Sequence, residues 1–337
     1  MIKINYPKNI KKLEDDYYNQ ITKKTFSCVK SNKTVKKMCD EKWFDKSDKQ
    51  NLEKIFDILL EKDNEFKKFF KDKALKDIIL AKPEELKELL NKFGEIDKIN
   101  KLYDLITDIF KYSGKFQSEV ITDFFTNNFD FNTCFYCNKD FILNFDAPKK
   151  TSTFQLDHFY DKGKYPYLAL SFYNLIPSCS TCNSSKVKGS KDCFKHDSRV
   201  GNFENETCKI PNHKNFDFDQ KVKFKLFLSD NCKDLNIKSK DDIDIPLKER
   251  YSNKYEKYIE IFKLNERYQV HKDIVFEMIK NTELYPESRL KELQDLTGIP
   301  YQEIRKDIFK LIGDEVDLSK EPFSKLRRDI SQELNLI

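Results

Sequence analysis

Two pairs of cysteines, each with two residues between its members, constrain this chain more than any other feature. Cys134 and Cys137 form the first pair, and Cys179 and Cys182 form the second. Each pair can present two thiolates from one tight turn, and two such turns make a tetrahedral four-sulfur site that suits zinc. Four unrelated thiols are the alternative, but the paired spacing favours metal. We therefore expect all four cysteines to hold a structural Zn²⁺.

The composition excludes several classes of protein. Only 7 of the 337 residues are glycine, which argues against a dinucleotide-binding fold or a Walker phosphate loop. The 29 Phe and 16 Tyr residues argue against a disordered chain. No apolar run approaches the length of a membrane span, and the chain starts without a signal-peptide core. We expect a cytoplasmic protein with no membrane contact, where cysteines bind metal instead of forming disulfides.

Helical periodicity marks the two flanks of the chain. Apolar residues recur three and four positions apart after Asn51. They do so again between Pro83 and Gly94, where proline is expected to open a helix and glycine to end it. The same period returns from about residue 248. These patterns predict an N-terminal helical region over 1–125 and a C-terminal helical region over 236–337.

The middle of the chain, residues 126–235, is expected to form a separate domain. It contains most of the cysteines and histidines, and residues 221–228 alternate as in a half-buried strand. The fold class is therefore mainly α with a small α+β insert. In the C-terminal region, residues 290–305 read as helix, glycine turn, helix. A DNA-reading helix-turn-helix and an ordinary helical hairpin both fit this pattern, and the hairpin is favoured because it is common.

The residues between the cysteine pairs predict a strand, a loop, a second strand and a helix. The first strand ends at His158, residues 175–177 form the second, and the helix runs over 180–188. Three motifs lie along this stretch: Asp157-His158, then Asn174-Leu-Ile-Pro, then Cys179-Ser-Thr-Cys182-Asn183-Ser-Ser-Lys186.

This succession resembles the ββα-metal core of the HNH endonucleases, over about residues 134–188. Asn183 stands where many members have histidine. More narrowly, the run His-Phe-Tyr-Asp-Lys-Gly-Lys-Tyr-Pro from His158 resembles HNH proteins of bacterial anti-phage systems such as Septu, as does the tail from Phe323 to Ile330. The resemblance implies an HNH core with its zinc site, flanked by helical regions, and a nuclease that works beside an ATPase partner.

The residue types fit phosphodiester hydrolysis. His158 has an ordinary pKa near neutrality and can take a proton from water. Asp157 and Asn183 offer hard oxygen ligands, so we expect catalytic Mg²⁺ or Mn²⁺ and not a softer ion. Asn174 is expected to orient the His158 ring. The resemblance implies the same roles at these four positions.

Basic residues follow the last cysteine. Lys186 and Lys188 are expected to contact the phosphate backbone of nucleic acid. Over residues 183–199, five basic residues stand against two acidic ones, which is a phosphate-binding rim or a solvated loop. The net charge of the whole chain is only +5, so any nucleic-acid contact must come from such local patches.

The other cysteines and histidines carry weaker signals. Four of them have spacings that fit a second zinc site, although scattered Cys and His residues are common: Cys193, His196, Cys208 and His213. Three cysteines are expected to be ordinary thiols, namely Cys28, Cys39 and Cys232.

The sequence therefore predicts a metal-dependent HNH endonuclease that hydrolyses phosphodiester bonds in nucleic acid, with DNA favoured over RNA. The expected setting is a bacterial anti-phage defence system with an ATPase partner. The alternative is a zinc-stabilised nucleic-acid-binding or adaptor protein whose HNH core is inactive. The intact set of Asp157, His158, Asn174 and Asn183 favours the enzyme.

Overall fold

The computed structural model describes residues 1–27, 33–45, 49–146, 148, 150–193, 209–230, 232 and 236–337. Within these residues the protein is mainly helical with small two-stranded antiparallel sheets, as the composition indicated. None of the described helices has both the length and the apolar character that crossing a membrane requires.

The chain divides into two compact units. We call Ile4–Phe131 with Ile142–Phe216 the N-terminal unit. The C-terminal unit comprises Met1–Lys3, Asn132–Phe141 and Asp217–Ile337. This division differs from the three consecutive regions predicted from the sequence, because the first helices pack with Ile142–Phe216 in one core.

The N-terminal unit is built on short amphipathic helices. Its α-helices are Ile10–Thr22, Lys33–Asp40, Leu52–Lys62, Asn64–Phe69, Leu75–Ile79, Pro83–Phe93, Lys101–Ile109, Gly114–Phe116, Asp123–Asn128 and Ser180–Asn183, with a π-helix at Gln117–Thr122 and 3₁₀ helices at Pro166–Leu168 and Phe172–Asn174. The predicted boundaries hold where a local signal exists. The Asn51 side chain accepts a hydrogen bond from the Lys54 amide (2.9 Å), Pro83 begins its helix, and Gly94 ends it with a positive φ of 65°.

The strands of the N-terminal unit form three sheets. Thr25–Phe26 pairs with Gln50–Asn51, Asn144–Asp146 with Lys150–Ser152, and Gln155–His158 with Leu175–Ser178. In the last pair, which we call the site hairpin, Asp157 is opposite Ile176 and His158 is opposite Leu175. The site hairpin and the helix Ser180–Asn183 that follows it appear in the predicted order.

The predicted helix over 180–188 is shorter than expected. It ends after Asn183, because Ser184 leaves helical geometry (ψ 155°) and the chain turns. The Gly189 amide donates to the Ser184 carbonyl (2.9 Å) in this turn. The turn brings Lys188 back beneath the site hairpin, where a continuous helix would carry it away.

The C-terminal unit combines two small sheets with a set of helices. Its strands pair as Val222–Phe224 with Leu247–Glu249 and Phe227–Leu228 with Ile243–Asp244. Its helices are Phe218–Lys221, Glu256–Ile261, Leu264–Gln269, Lys272–Leu284, Glu287–Thr297, Tyr301–Phe309 and Ser324–Glu333, with 3₁₀ helices at Lys240–Asp242 and Leu318–Lys320. The single strand predicted over 221–228 is thus two short strands with different partners.

The predicted helix, glycine turn and helix over 290–305 are present. Glu287–Thr297 ends at Gly298, whose φ of 73° is the left-handed conformation that favours glycine, and Tyr301–Phe309 follows. The pair buries a small apolar cluster that includes Leu290 and Ile304. This packing is what an ordinary helical hairpin requires.

Candidate metal centre and active site

The four cysteines of the two pairs are brought together. All four are buried, and their sulfur atoms lie within 4.8 Å of one another. A tetrahedral site with Zn–S bonds of about 2.3 Å places its sulfurs roughly 3.8 Å apart, so the cluster has the size that zinc requires. The four buried cysteines can therefore hold a metal such as zinc.

Each pair adopts a tight turn that aims its sulfurs inward. In the second turn, the Cys182 amide donates to the Cys179 sulfur (3.4 Å) and the Asn183 amide to the Cys179 carbonyl (3.1 Å). In the first turn, the Asn138 amide donates to the Cys134 carbonyl (2.7 Å), and Asn138 has a positive φ of 52°. These backbone bonds close each turn around its pair of cysteines.

His158, at the end of the first strand of the site hairpin, has a hydrogen bond at Nε2 and none at Nδ1 to any of the described residues. Only 6% of the residue is exposed, and its Nε2 lies 2.9 Å from the Ala169 carbonyl oxygen. Burial, with the charge of Lys162 as a second cause, lowers the pKa of His158 to about 3, so the ring is neutral at neutral pH. A carbonyl only accepts hydrogen bonds, so Nε2 carries the proton and Nδ1 keeps its lone pair.

Asp157 is paired with a buried lysine. The Lys188 ammonium lies 3.2 Å from one Asp157 oxygen and 3.0 Å from the other, and it donates to the His158 carbonyl at 2.7 Å. Burial alone would lower the pKa of Lys188, but Asp157, together with Cys193 and Asp161, outweighs this and raises the pKa. The lysine therefore stays charged and bridges the Asp157 carboxylate and the His158 carbonyl.

The role predicted for Lys188 needs correction. The residue is 0% exposed and its ammonium is fully engaged inside the protein, so it does not face a phosphate backbone. The ion pair with Asp157 offsets the cost of burying the Lys188 charge. Lys186 is exposed, and its predicted phosphate contact stays a prediction.

Asn174 holds the loop of the site hairpin and not the His158 ring. Its side-chain oxygen accepts from the Tyr160 amide (2.8 Å), and its nitrogen donates to the carbonyls of Tyr160 (3.0 Å) and Leu168 (3.1 Å). The ring of His158 is fixed by Ala169 instead, which corrects the predicted orienting bond. Asn174 thus acts on His158 through the backbone of the intervening loop.

Asn183 lies on the same side of the hairpin as Asp157. Its side-chain nitrogen donates to the Gln155 side-chain oxygen (2.9 Å). Gln155 and Asp157 are two residues apart on one strand, so their side chains point to the same face. Asn183 is partly exposed, and its carbonyl oxygen has no hydrogen bond to any residue within the described ranges.

The N-terminal helices hold the loop between the two strands of the site hairpin. The Tyr17 hydroxyl donates to the Leu170 carbonyl (3.0 Å). The Ser171 hydroxyl donates to the Ile78 carbonyl (2.7 Å), and the Tyr167 hydroxyl donates to the Gly94 carbonyl (2.9 Å). All three connect segments more than 70 residues apart in sequence. This loop therefore depends on the helical region that precedes it.

Sequence reasoning missed Tyr112, which lies beside His158. The two rings are nearly perpendicular (87°), with centroids 4.6 Å apart. The ammonium of Lys162, in the loop of the hairpin, lies 4.7 Å from the centroid of the Tyr112 ring. No local signal marks Tyr112, which follows a helix in a region where only packing was expected, whereas Lys162 could have been noticed four residues after His158.

The four residues predicted to form a second zinc site lie only partly within the described ranges. Cys193 is buried and not disulfide-bonded, but His196 and Cys208 lie outside the described ranges. His213 lies 3.7 Å from a Glu84 oxygen and accepts at Nδ1 from the Asn215 amide (2.9 Å). The hypothesis therefore stays a prediction.

The remaining cysteines separate into different states. Cys39 is disulfide-bonded, so the expectation of an ordinary thiol at this position is wrong. Cys232 is a free thiol, as expected, and partly exposed. Cys28 lies outside the described residues.

Comparison of the chain with protein-family models, with curated proteins and with solved structures gave no match.

Proposed function

We propose that this protein is a metal-dependent endonuclease of the HNH type that hydrolyses phosphodiester bonds in nucleic acid, with DNA favoured over RNA. One observation carries the proposal: His158 is neutral, its Nδ1 has no hydrogen bond within the described ranges, and it directly follows the buried Asp157 on one strand. The succession of hairpin, short helix and paired cysteines supports a ββα-metal core at the same place.

In the proposed reaction, the oxygen of a water molecule bonds to phosphorus while the bond from phosphorus to the leaving sugar oxygen breaks. His158 Nδ1 accepts the proton of the water. The electron pair of the broken bond stays on the sugar oxygen, which takes a proton from solvent. The negative charge of a phosphodiester next to the ring raises the pKa of His158 from its low value, because it stabilises the imidazolium form.

The donors on this face of the hairpin fit a hard divalent cation. The Asp157 carboxylate and the Asn183 amide oxygen are ligands that Mg²⁺ and Mn²⁺ accept. Lys188 already bonds Asp157, but a carboxylate has lone pairs for more than one partner. A bound cation would supply charge neutralisation at the phosphate and stabilise the departing oxygen.

The test is plasmid nicking by the wild type and by His158→Ala, with Mg²⁺, Mn²⁺ or Ni²⁺ and with EDTA. We expect cutting with Mg²⁺ or Mn²⁺, none with EDTA, and a loss of about 10²–10⁴-fold in the variant. His271→Ala serves as the matched control, because this partly exposed histidine precedes the helix Lys272–Leu284 in the C-terminal unit. Equal cutting by wild type and His158→Ala would refute the assignment, and cutting with Ni²⁺ alone would refute the metal.

A second function is favoured by one observation. The Lys188 ammonium occupies part of the hydrogen-bonding capacity of the Asp157 carboxylate, and His158 is almost fully buried. Both features suit a core that binds nucleic acid without cutting it. Under this alternative the protein is a zinc-stabilised nucleic-acid-binding or adaptor protein. It would bind DNA equally well with and without His158, and no divalent cation would yield cleavage.

The role in anti-phage defence, with an ATPase partner, follows from the sequence resemblance. Co-purification of the full chain with an ATPase encoded beside its gene tests this. Nucleotide-dependent stimulation of cutting by that ATPase would support the role, and absence of both binding and stimulation would contradict it.

A further inference from the structure

Two groups next to His158 have no part in the reaction proposed above. Tyr112 lies between the helices Lys101–Ile109 and Gly114–Phe116, and its ring meets the His158 ring edge to face. Lys162 places its ammonium near the same aromatic ring. The imidazole, the phenol and the ammonium thus form one contiguous group, although they come from distant parts of the sequence.

The hydroxyl of Tyr112 is buried without a partner. Only 6% of the residue is exposed, and within the described ranges the oxygen has no hydrogen bond. Burying an unpaired hydroxyl destabilises a fold, so nearly all buried polar groups find partners. Where one does not, a ligand that supplies the missing partner is a direct explanation. Burial and the nearby Asp157 carboxylate raise the pKa of Tyr112, so the phenol keeps its proton and can donate it in a hydrogen bond.

Lys162 differs from its neighbouring lysines in its availability. Lys188 is buried against Asp157, and Lys164 is paired with Asp192 at 2.6 Å. Lys162 is exposed, with its ammonium over the face of Tyr112 and within electrostatic reach of the Asp161 and Asp157 carboxylates. Its charge acts on the His158 ring, whose pKa it helps to lower. A cation so placed attracts an anion to the edge of the ring.

We propose that Lys162 and Tyr112 bind the phosphate group of the nucleic-acid backbone that lies against His158. The Lys162 ammonium pairs with a non-bridging phosphate oxygen, and the Tyr112 hydroxyl donates a hydrogen bond to the same group. This inference rests on the proposed function, because it assigns the substrate contacts of that site. It also gives the N-terminal helical region a direct part in substrate binding.

The experiment uses the full chain and four variants: Tyr112→Phe, Lys162→Gln, Lys162→Arg and the control Lys54→Gln. Tyr112→Phe keeps the ring and removes the hydroxyl. Lys54 is exposed on the helix Leu52–Lys62, so Lys54→Gln makes the same change of charge away from the hairpin. Cutting is measured with Mg²⁺. Binding of a short fluorescein-labelled DNA duplex is measured across KCl concentrations with each change placed in a His158→Ala background.

Lys162→Gln is expected to reduce the slope of log affinity against log salt by about one, because one phosphate contact is lost. Cutting should fall by about tenfold or more. Lys162→Arg should restore most of both, whereas Lys54→Gln should resemble the parent protein. Tyr112→Phe is expected to lower cutting by about tenfold while its melting temperature is unchanged or higher. If Tyr112 had only a packing role, Tyr112→Phe would not lower the cutting activity of a protein whose stability is unchanged or higher.

The outcomes separate this inference from the proposed function. If the wild type cuts, His158→Ala does not, and Tyr112→Phe and Lys162→Gln both match the wild type, the nuclease stands and the phosphate-binding pair is overturned. If no protein cuts but Lys162→Gln still lowers affinity and salt slope, the phosphate contact stands and the nuclease fails. Absence of DNA binding by the parent protein overturns the pair.

Discussion

Two clusters of polar side chains that contain buried ion pairs can be compared, one in each unit. In the C-terminal unit, Asp219 and Asp329 are surrounded by Lys223, Lys325 and Arg328. We call these five residues the tail cluster. In the N-terminal unit, the site cluster consists of Asp157, His158 and Lys188 with Tyr112 and Lys162. Both clusters bury ion pairs in a low-dielectric interior, where each pair must offset the cost of desolvation.

The clusters differ in what their groups can do near neutral pH. The tail cluster contains only carboxylates, ammonium groups and a guanidinium, which are side-chain types whose ordinary pKa values lie far from neutrality. Its most buried carboxylate has three donors: Asp329 accepts from Lys325 (2.8 Å), Lys223 (3.2 Å) and the amide of Phe224 (3.0 Å). The site cluster adds a neutral imidazole and a hydroxyl, and neither His158 Nδ1 nor the Tyr112 oxygen has a hydrogen bond to the described part of the chain. Arg328 Nε in the tail cluster is likewise buried without a hydrogen bond to the described residues, so the clusters differ in the imidazole and not in unsatisfied donors alone. Neither buried charge nor an unpaired donor by itself indicates a functional site; a neutral base beside them does.

The largest effect on the free energy of unfolding is expected at the four cysteines, and the effects at the two clusters are compared with it. Cys182→Ser removes one of four sulfur ligands, and structural zinc contributes about 10–16 kcal/mol in small domains. We expect loss of bound zinc and a large fall in the free energy of unfolding. Metal analysis and urea denaturation measure the two quantities. The control is Cys232→Ser, a free cysteine outside the cluster. Zinc content and stability equal to those of the wild type would disprove a four-cysteine site.

A smaller effect is expected when the ion pair of the site cluster is broken. Lys188→Met leaves the Asp157 carboxylate buried and unpaired, which costs about 3–5 kcal/mol of unfolding free energy. If Asp157 is a cation ligand, added Mg²⁺ should stabilise Lys188→Met more than the wild type, because the ion can replace the lost charge. Thermal denaturation with and without Mg²⁺ measures this. Lys191→Met, at an exposed lysine three residues further on, should change little. An equal response of all three proteins to Mg²⁺ would count against the cation site.

The smallest effect concerns the pH dependence of the tail cluster. Burial would raise the pKa of Asp219, but Lys325 and Arg328 outweigh it and lower that pKa well below its ordinary value. A carboxyl with a depressed pKa stabilises the fold above its unfolded pKa of about 3.9, and this stabilisation is lost as the pH falls below that value.

Asp219→Asn should therefore cost about 2 kcal/mol at neutral pH, and the difference from the wild type should shrink in acid. Urea denaturation at several pH values measures it, with Asp307→Asn, an exposed carboxylate on the helix Tyr301–Phe309, as the control. A difference that grows on acidification would contradict the assigned ion pairs.

The features that the sequence predicts are those determined by residues close together along the chain. The helix at Pro83–Phe93 follows from a proline, an apolar stripe and a glycine, each of which acts within a few residues. The cysteine cluster could also be predicted, because two pairs of cysteines, each with two residues between its members, are typical of a single metal site. The order of strands and helix around Asp157 and His158 was read from alternation and turn signals.

The misplaced residues depend on contacts between distant segments. The sequence predicts a surface position for Lys188, because the turn that brings it to its partner Asp157 has no strong sequence signal. It predicts that Asn174 orients the His158 ring, whereas the Asn174 amide makes three hydrogen bonds to the backbone of the loop. Tyr112 is one of 16 tyrosines, and only the folded chain places it at His158.

The three hydrogen bonds that tie the loop of the site hairpin to earlier segments have a practical consequence. Residues 126–235, cut out as a cassette and fused to another protein, would expose the acceptor at Leu170 and leave Ser171 and Tyr167 without their carbonyl partners. The motif-bearing stretch is therefore not portable. Chimeras that keep this chemistry must take the preceding 125 residues along with it.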